Sequence, residues 1–185
     1  MKSLVFFLEE LSARRMLEGV LPRLIPSDIN VHYVVFQGKS DLEKQLERKL
    51  RFWLLPDSIF VVLRDQDAAD CHVVKRRLAE LCQQAGKSEA LVRVACHELE
   101  SFYLGDLAAV ERGLGIRGLA AKQGQSRYRT PDKLGSPSQE LKKLTNGKYQ
   151  KVAGSRVIGG YLNLEKNSSR SFTVLLSGIK KVLEH

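Results

Sequence analysis

Four short apolar runs, Leu4–Leu8, Val31–Phe36, Ile59–Leu63 and Leu91–Cys96, recur along the first hundred residues with a helix-length stretch between successive runs. They are apolar throughout rather than alternating, and Val, Ile and Phe dominate them. Strands of that kind belong to parallel sheets covered on both faces. The stretches between them carry helical spacing: Leu17, Val20, Leu21 and Leu24; then Leu42, Leu46, Leu50 and Trp53; then Val74, Leu78, Leu81 and Cys82. Ser40 and Glu43 have the spacing of a capping box at the start of the second helix. The chain is thereby restricted to an α/β class, a three-layer βαβαβαβ core around a four-stranded parallel sheet. We take the strand order as 2-1-3-4.

After Cys96 the alternation stops. The stretch from Glu98 to Leu114 has helical character, and Gly115 to Gly135 is polar, basic and almost without apolar periodicity, the pattern of a flexible loop. A helix is expected after Ser136-Pro137, a turn at Asn146-Gly147, and a final helix with Phe172, Leu175, Leu176, Ile179 and Leu183 on one stripe. At 185 residues the chain is read as one domain, with a core over 1–114, a basic loop over 115–135 and a helical region over 136–185 packing on that core.

Charge separates the two halves. Residues 1–100 hold 15 basic and 15 acidic side chains, whereas residues 101–185 hold 15 basic and 6 acidic ones, so the whole net charge of +9 lies in the second part. Such asymmetry points to a polyanion, nucleic acid above all, with DNA favoured over RNA; a solubilising basic face is the plainer alternative. No apolar run reaches the roughly 18 residues that a membrane crossing needs. The opening run stops at Glu9-Glu10 with no small-residue cleavage site, so it reads as a strand and not a signal peptide. Three cysteines, Cys71, Cys82 and Cys96, fit reduced thiols in the cytoplasm.

In open α/β sheets, ligands bind beyond the carboxyl ends of the strands where the order reverses. The first strand runs into Glu9-Glu10, the third into Asp65-Gln66-Asp67, and the fourth into His97-Glu98-Leu99-Glu100. With order 2-1-3-4 those three ends are neighbours. Asp65/Asp67 and Glu98/Glu100 are i, i+2 pairs, which place both side chains on one side of an extended segment. Crowded carboxylates repel one another unless a cation holds them, and hard oxygen ligands suit Mg²⁺ or Mn²⁺. Ions of that kind serve phosphodiester cleavage. Strand-end acids are also common helix caps, and Asp70, just before the third helix, is read as one. His97 is a candidate proton carrier.

Other patterns fail on context. Gly113 to Gly118 matches GxGxxG but follows a helix, so its glycines read as a helix stop and loop. Gly154 to Gly160 lacks the Gly-Lys-Ser/Thr ending of a P-loop, and the Cys and His residues lack the spacing of a zinc site.

A Glu closing the first strand and an Asp-x-Asp closing the third resemble the signature of the Toprim domain. That domain serves topoisomerases, primases, overcoming-lysogenization-defect nucleases and small ribosomal-RNA maturases. Within that superfamily the chain resembles a bacterial Toprim-like family through Phe7-Leu8-Glu9-Glu10-x-Ser12, Arg64-Asp65-Gln66-Asp67, Glu98-Leu99-Glu100-Ser101-Phe102, Tyr149-Gln150-Lys151 and Ser169-Arg170-Ser171-Phe172. The resemblance implies a three-layer Toprim-like fold. It places Glu9 as the catalytic acid, general acid/base or metal ligand, with Asp65 and Asp67 as the metal-holding pair. Toprim domains usually have Gly after that Glu; here Glu10 stands there, so either Glu9 or Glu10 faces the site. The resemblance also implies an ATPase partner of AAA or ABC type, in settings of defence against phage.

The leading reading is a metal-dependent nuclease or other phosphodiester-transfer enzyme. In it Glu9, Asp65, Asp67 and Glu98 are catalytic, Glu100 completes the metal shell with Glu9, Asp65 and Asp67, and Glu10 and His97 stand in reserve. Lys122, Arg127, Arg129, Lys148, Lys151, Arg156 and Arg170 hold phosphates. The competing reading is a non-catalytic subunit that binds nucleic acid or an ATPase. A response-regulator receiver shares the acidic geometry but needs a Lys after a fifth strand, which the chain does not offer. The oligomeric state is left open.

Overall fold

The computed structural model describes residues 2–184. Its first half alternates as the apolar runs dictate: β1 (Ser3–Leu8), α1 (Leu11–Val20), β2 (Asn30–Val35), α2 (Lys39–Arg51), β3 (Ser58–Asp65), α3 (Cys71–Gln84) and β4 (Leu91–Ala95). All strand pairs are parallel and the order is β2-β1-β3-β4. The register sets Leu8 opposite Leu63 and Asp65 opposite Ala95, so the strands that carry acids end close to one level.

Every residue of β1 is buried, because helices cover both faces. Leu4, Phe6 and Leu8 face a core shared with Met16, Leu17 and Val20 of α1 and with the C-terminal helices. Val5 and Phe7 face the other layer, with Leu42, Leu46 and Leu50 of α2 and Val74, Leu78 and Leu81 of α3. Alternation of side chains along a strand thus feeds two separate cores. No helix among the described residues is long and apolar enough to cross a membrane.

The second half is helical: α4 (Glu100–Leu104), α5 (Leu107–Leu114), α6 (Ser126–Arg129), α7 (Pro137–Leu144), α8 (Lys151–Gly159) and α9 (Arg170–Leu183). The stretch from Glu98 to Leu114 is broken in two because the Asp106 side chain accepts from the Ala109 N–H and caps a new helix. Gly115 ends α5 in the left-handed region at φ +62°, as the helix-stop reading requires.

Two expectations are corrected. Ser40 is not a cap: α2 begins at Lys39 after Gly38 at φ +101°, and Glu43 turns to Arg64 instead. The stretch 115–135 is folded rather than an open loop. It holds helical turns at 120–122, 126–129 and 131–133, with Leu119 and Tyr128 buried, and Gln123 bonds Leu104 O, Tyr128 O and the Leu107 N–H. Single apolar residues spaced irregularly carry that anchoring, so no period betrayed it. Within the helical region expected over 136–185, α8 covers Gly154 and Gly159 of the failed P-loop, and Gly159 serves helix contact, as described below.

Candidate functional site

β1 delivers Glu9, β3 delivers Asp65, and the first turn of α4 delivers Glu100. The Glu9 carboxylate accepts from the Asp65 N–H at 3.1 Å, which ties the ends of two neighbouring strands together. It also lies 3.9 Å from the Arg64 Nε. Burial, then the nearby Asp67, hold Glu9 above its ordinary pKa against the pull of the Asp65 amide and Arg64. Asp65 is raised further, first by desolvation, then by the charges of Glu9 and Glu100, although the Leu99 amide and Lys151 act the other way. Part of the Asp65 residue still meets solvent.

Glu100 is 1% exposed. One oxygen accepts from the Tyr149 hydroxyl at 2.8 Å; the other is buried with no hydrogen-bond partner. Burial raises its pKa as well. Asp65 thus feels the charge of both Glu9 and Glu100, and all three carboxyls are desolvated by burial. Beside them, Glu9, Glu10, Ser12, Arg64 and Leu99 line a cleft of about 10 Å³, room for one water-sized group.

Besides Arg64 at Glu9, positive charge reaches this centre from Lys151, the first residue of α8. Its ammonium pairs with Glu10. Burial works against that charge, but Glu10, Glu100 and Asp65 together raise the Lys151 pKa. Lys151 is brought there by close contact between α1 and α8. A Cβ added at Gly159 would lie 2.6 Å from Met16 O, and one at Gly19 would lie 2.5 Å from Gly160 N. Only glycines let the two backbones approach so closely. From α4, Tyr103 OH donates to Ser155 Oγ of α8 at 2.7 Å, and Ser155 Oγ donates to Lys151 O at 2.6 Å. A buried polar chain therefore fixes the helix start that presents Lys151.

The i, i+2 pairs do not stay together. Asp67 has φ +56°, past the strand end, and its carboxylate pairs with Lys39 at 3.1 Å rather than lying alongside Asp65. Glu98 stands in a turn, and its carboxylate accepts from the Ser138 N–H at 2.7 Å in the first turn of α7, a structural bond. The extended geometry assumed for both pairs fails because each chain leaves its strand before the second acid. His97 adopts φ +58°, and its N–H donates to Gln66 Oε1 while its carbonyl accepts from the Asp67 N–H. Asp70 caps α3 through the His72 and Val73 amides.

Among the described residues no three His, Cys, Asp or Glu side chains stand close enough to hold a metal ion as they are placed. The donor chemistry nonetheless fits a hard divalent cation, since a buried carboxylate oxygen of Glu100 lacks a hydrogen-bond partner and the charges of Glu9 and Glu100 both bear on Asp65.

The basic residues are exposed: Lys122, Arg127, Arg129, Lys148, Lys151, Arg156 and Arg170. Arg127 is bound to Glu140 at 3.0 Å, so part of its charge is spent within the protein. Of the seven, Lys151 acts on the acids Asp65 and Glu100.

Residues 8–180 match the family described as Domain of unknown function (DUF4276). The chain belongs to that family. No curated protein matches it. Among solved structures, the C-terminal region of the Burkholderia pseudomallei OLD protein is similar, with a TM-score of 0.54 and 16% identity over 97% of this chain and 98% of that one. At that identity the likeness concerns the fold, a Toprim-like α/β sheet in order 2-1-3-4. The sequence reading missed the positions that hold the centre in place: Tyr149 under Glu100, Ser155 under Lys151, and the Gly19/Gly159 contact. Only the Tyr149-Gln150-Lys151 triplet hinted at any of them.

Proposed function

We propose that the protein is a metal-dependent nuclease, or another phosphodiester-transfer enzyme, of Toprim type. The observation that carries this reading is the buried, unpartnered oxygen of Glu100 beside Asp65 and Glu9. Glu9, Asp65, Asp67 and Glu100 would hold Mg²⁺ or Mn²⁺. A bound ion would supply Lewis-acid polarisation of the phosphodiester. Glu9, whose pKa burial raises, would act either as a ligand of that ion or as general acid/base to the reacting oxygen. Lys151 would release Glu10 and hold a phosphate oxygen, and the exposed basic residues would bind the flanking backbone. Glu98 falls away from the catalytic set, because its carboxylate already caps α7.

The reading extends, on the strength of the resemblance, to an AAA- or ABC-type ATPase partner and to phage defence in the bacterial cytoplasm. The chain has no Walker motif of its own, and phosphate contacts carry no sequence information. An ATPase would supply both switch and selectivity; co-expression with an ATPase encoded beside this chain tests that extension.

A second reading has its own support. Lys151 and Lys39 already pair with Glu10 and Asp67, which suits a non-catalytic nucleic-acid- or ATPase-binding subunit that keeps the fold. Incubation of DNA and RNA with the protein, in Mn²⁺, Mg²⁺ or EDTA, separates the two. The nuclease reading requires cleavage that EDTA stops and that Asp65→Asn abolishes, together with Mn²⁺ binding seen by electron paramagnetic resonance. Cleavage that persists in EDTA, or no Mn²⁺ binding to the folded protein, refutes it.

A further inference from the structure

The sheet has two edge strands, and the chain treats them differently. At β4 two main-chain groups turned away from β3 are met from within: Arg93 Nη1 donates to Val92 O at 2.9 Å, and the Cys96 N–H just past the strand donates to Ser171 Oγ at 3.3 Å. Arg93 Nε also donates to Val174 O at 3.3 Å, which holds α9 against this edge. Along β2, the Asn30 and Phe36 amides donate inward to Lys2 O and Leu8 O. Both polar groups of a residue in a parallel ladder face the same side, so Val31, Tyr33 and Val35 turn theirs outward. No described group meets them there. An edge left so is a template for another strand.

Two hollows flank that edge, one on each face of the sheet. On the α1 face, Leu21, Ile25, Ile29, Val31 and Tyr33 border a cavity of about 340 Å³. On the α2 face, Val34, Phe52, Trp53, Arg48 and Lys49 border one of about 480 Å³. Neither Arg48 nor Lys49 has an ion-pair partner among the described residues. Next to this second hollow Phe52 is 68% and Leu54 92% exposed.

We propose that β2 is a docking strand for an extended segment of another protein in which apolar and acidic residues alternate. A strand added at β2 sends successive side chains to opposite faces, so one parity enters the hollow of Ile25 and Ile29 and the other meets Arg48 and Lys49. The main chain supplies affinity and the two hollows supply the alternating preference. A second copy of this chain fits poorly. Pairing two β2 edges about a two-fold axis places Arg48 and Lys49 of each copy against the same cations of the other. The proposal does not depend on the nuclease reading.

The probe is a synthetic capped peptide alternating valine and glutamate, titrated into isotope-labelled full-length protein. The expected result is saturable shifts and slowed hydrogen exchange at the Val31, Tyr33 and Val35 amides. The same peptide with lysine for glutamate should bind at least about tenfold more weakly, and Arg48→Glu with Lys49→Glu should reverse that order. Methylation of alternate peptide amides should remove binding without touching the protein. Absence of saturable shifts at β2, equal binding of the acidic and basic peptides, or a peptide-free dimer protected along β2 would each overturn the proposal.

Discussion

Gly159 and Gly160 are adjacent glycines whose replacement by alanine should act with opposite sign. A Cβ at Gly159 would sit 2.6 Å from Met16 O, 2.9 Å from its Cα and 3.1 Å from its carbonyl carbon. All three are backbone atoms of α1, so no side chain can swing aside, and α8 would have to recede by about 0.8 Å to restore an ordinary 3.4 Å contact. Overpacking of that kind costs about 1–3 kcal/mol, and a rigid neighbour argues for the upper end. The better helix propensity of alanine offsets about 1 kcal/mol. The net loss for Gly159→Ala is therefore about 2 kcal/mol, or about 4–8 °C in Tm for a chain of this size. At Gly160 the nearest atom to an added Cβ is Val157 O at 3.8 Å, and φ is −65°. Gly160→Ala should gain about 0.4–1 kcal/mol from the unfolded chain's lost freedom. Thermal melts of both variants, with circular dichroism to confirm folding, decide the matter. Equal Tm values for the two, or a rise for Gly159→Ala, would refute the close approach of α1 and α8 as drawn.

Asp65 has a raised folded pKa, so its ionisation opposes folding; the stability it contributes is present below the ordinary carboxylate pKa and is lost as pH rises through the raised value. Asp65→Asn should therefore melt higher than the natural protein without divalent ions, with a gap larger at pH 8 than at pH 5; a lower Tm at pH 8 contradicts this. Tyr149→Phe leaves both Glu100 oxygens unpartnered and should cost about 1.5–3 kcal/mol, as lost bonds to charged groups do, measured by urea unfolding. Glu98→Gln should weaken the α7 start by about 1 kcal/mol while leaving nucleic-acid cleavage intact, and lost cleavage in a folded variant would return Glu98 to the reacting groups. In nucleic-acid binding, Lys122→Gln and Lys148→Gln should each lower the salt slope by about 1, and Arg127→Gln by less, because Glu140 already holds that guanidinium.

Much of the fold was legible because the sheet is buried on both faces. Strands such as Leu4–Leu8 and Ile59–Leu63 are apolar without alternation, and helices such as Leu42–Leu50 show one stripe. The level at which Glu9 and Asp65 end followed from the strand order. What the residues did not reveal was where each chain leaves its strand. The positive φ at Asp67 and the turn before Glu100 parted acids that an extended spacing kept together. Nor did they reveal contacts between distant segments: Glu10 with Lys151, Glu100 with Tyr149, Glu98 with Ser138. Such contacts rest on the packing of α7 and α8, whose short apolar patterns fix neither their partner nor their direction.

The acids of the centre and the groups that meet them are written far apart in the chain. Glu9, Asp65 and Glu100 all lie within the first hundred residues, whereas Tyr149 and Lys151 come much later. A chain leaving the ribosome folds from its beginning, so β1, β3 and β4 are in place to pair while α8 has still to be made. Until then the charges of Glu9 and Glu100 bear on Asp65 without the Tyr149 phenol or the Lys151 ammonium, and Arg64 is the cation near Glu9. Arrival of α8 eases that repulsion without removing it, since it brings the Tyr149 hydroxyl to Glu100 and the Lys151 charge to bear on Asp65 while Asp65 stays raised.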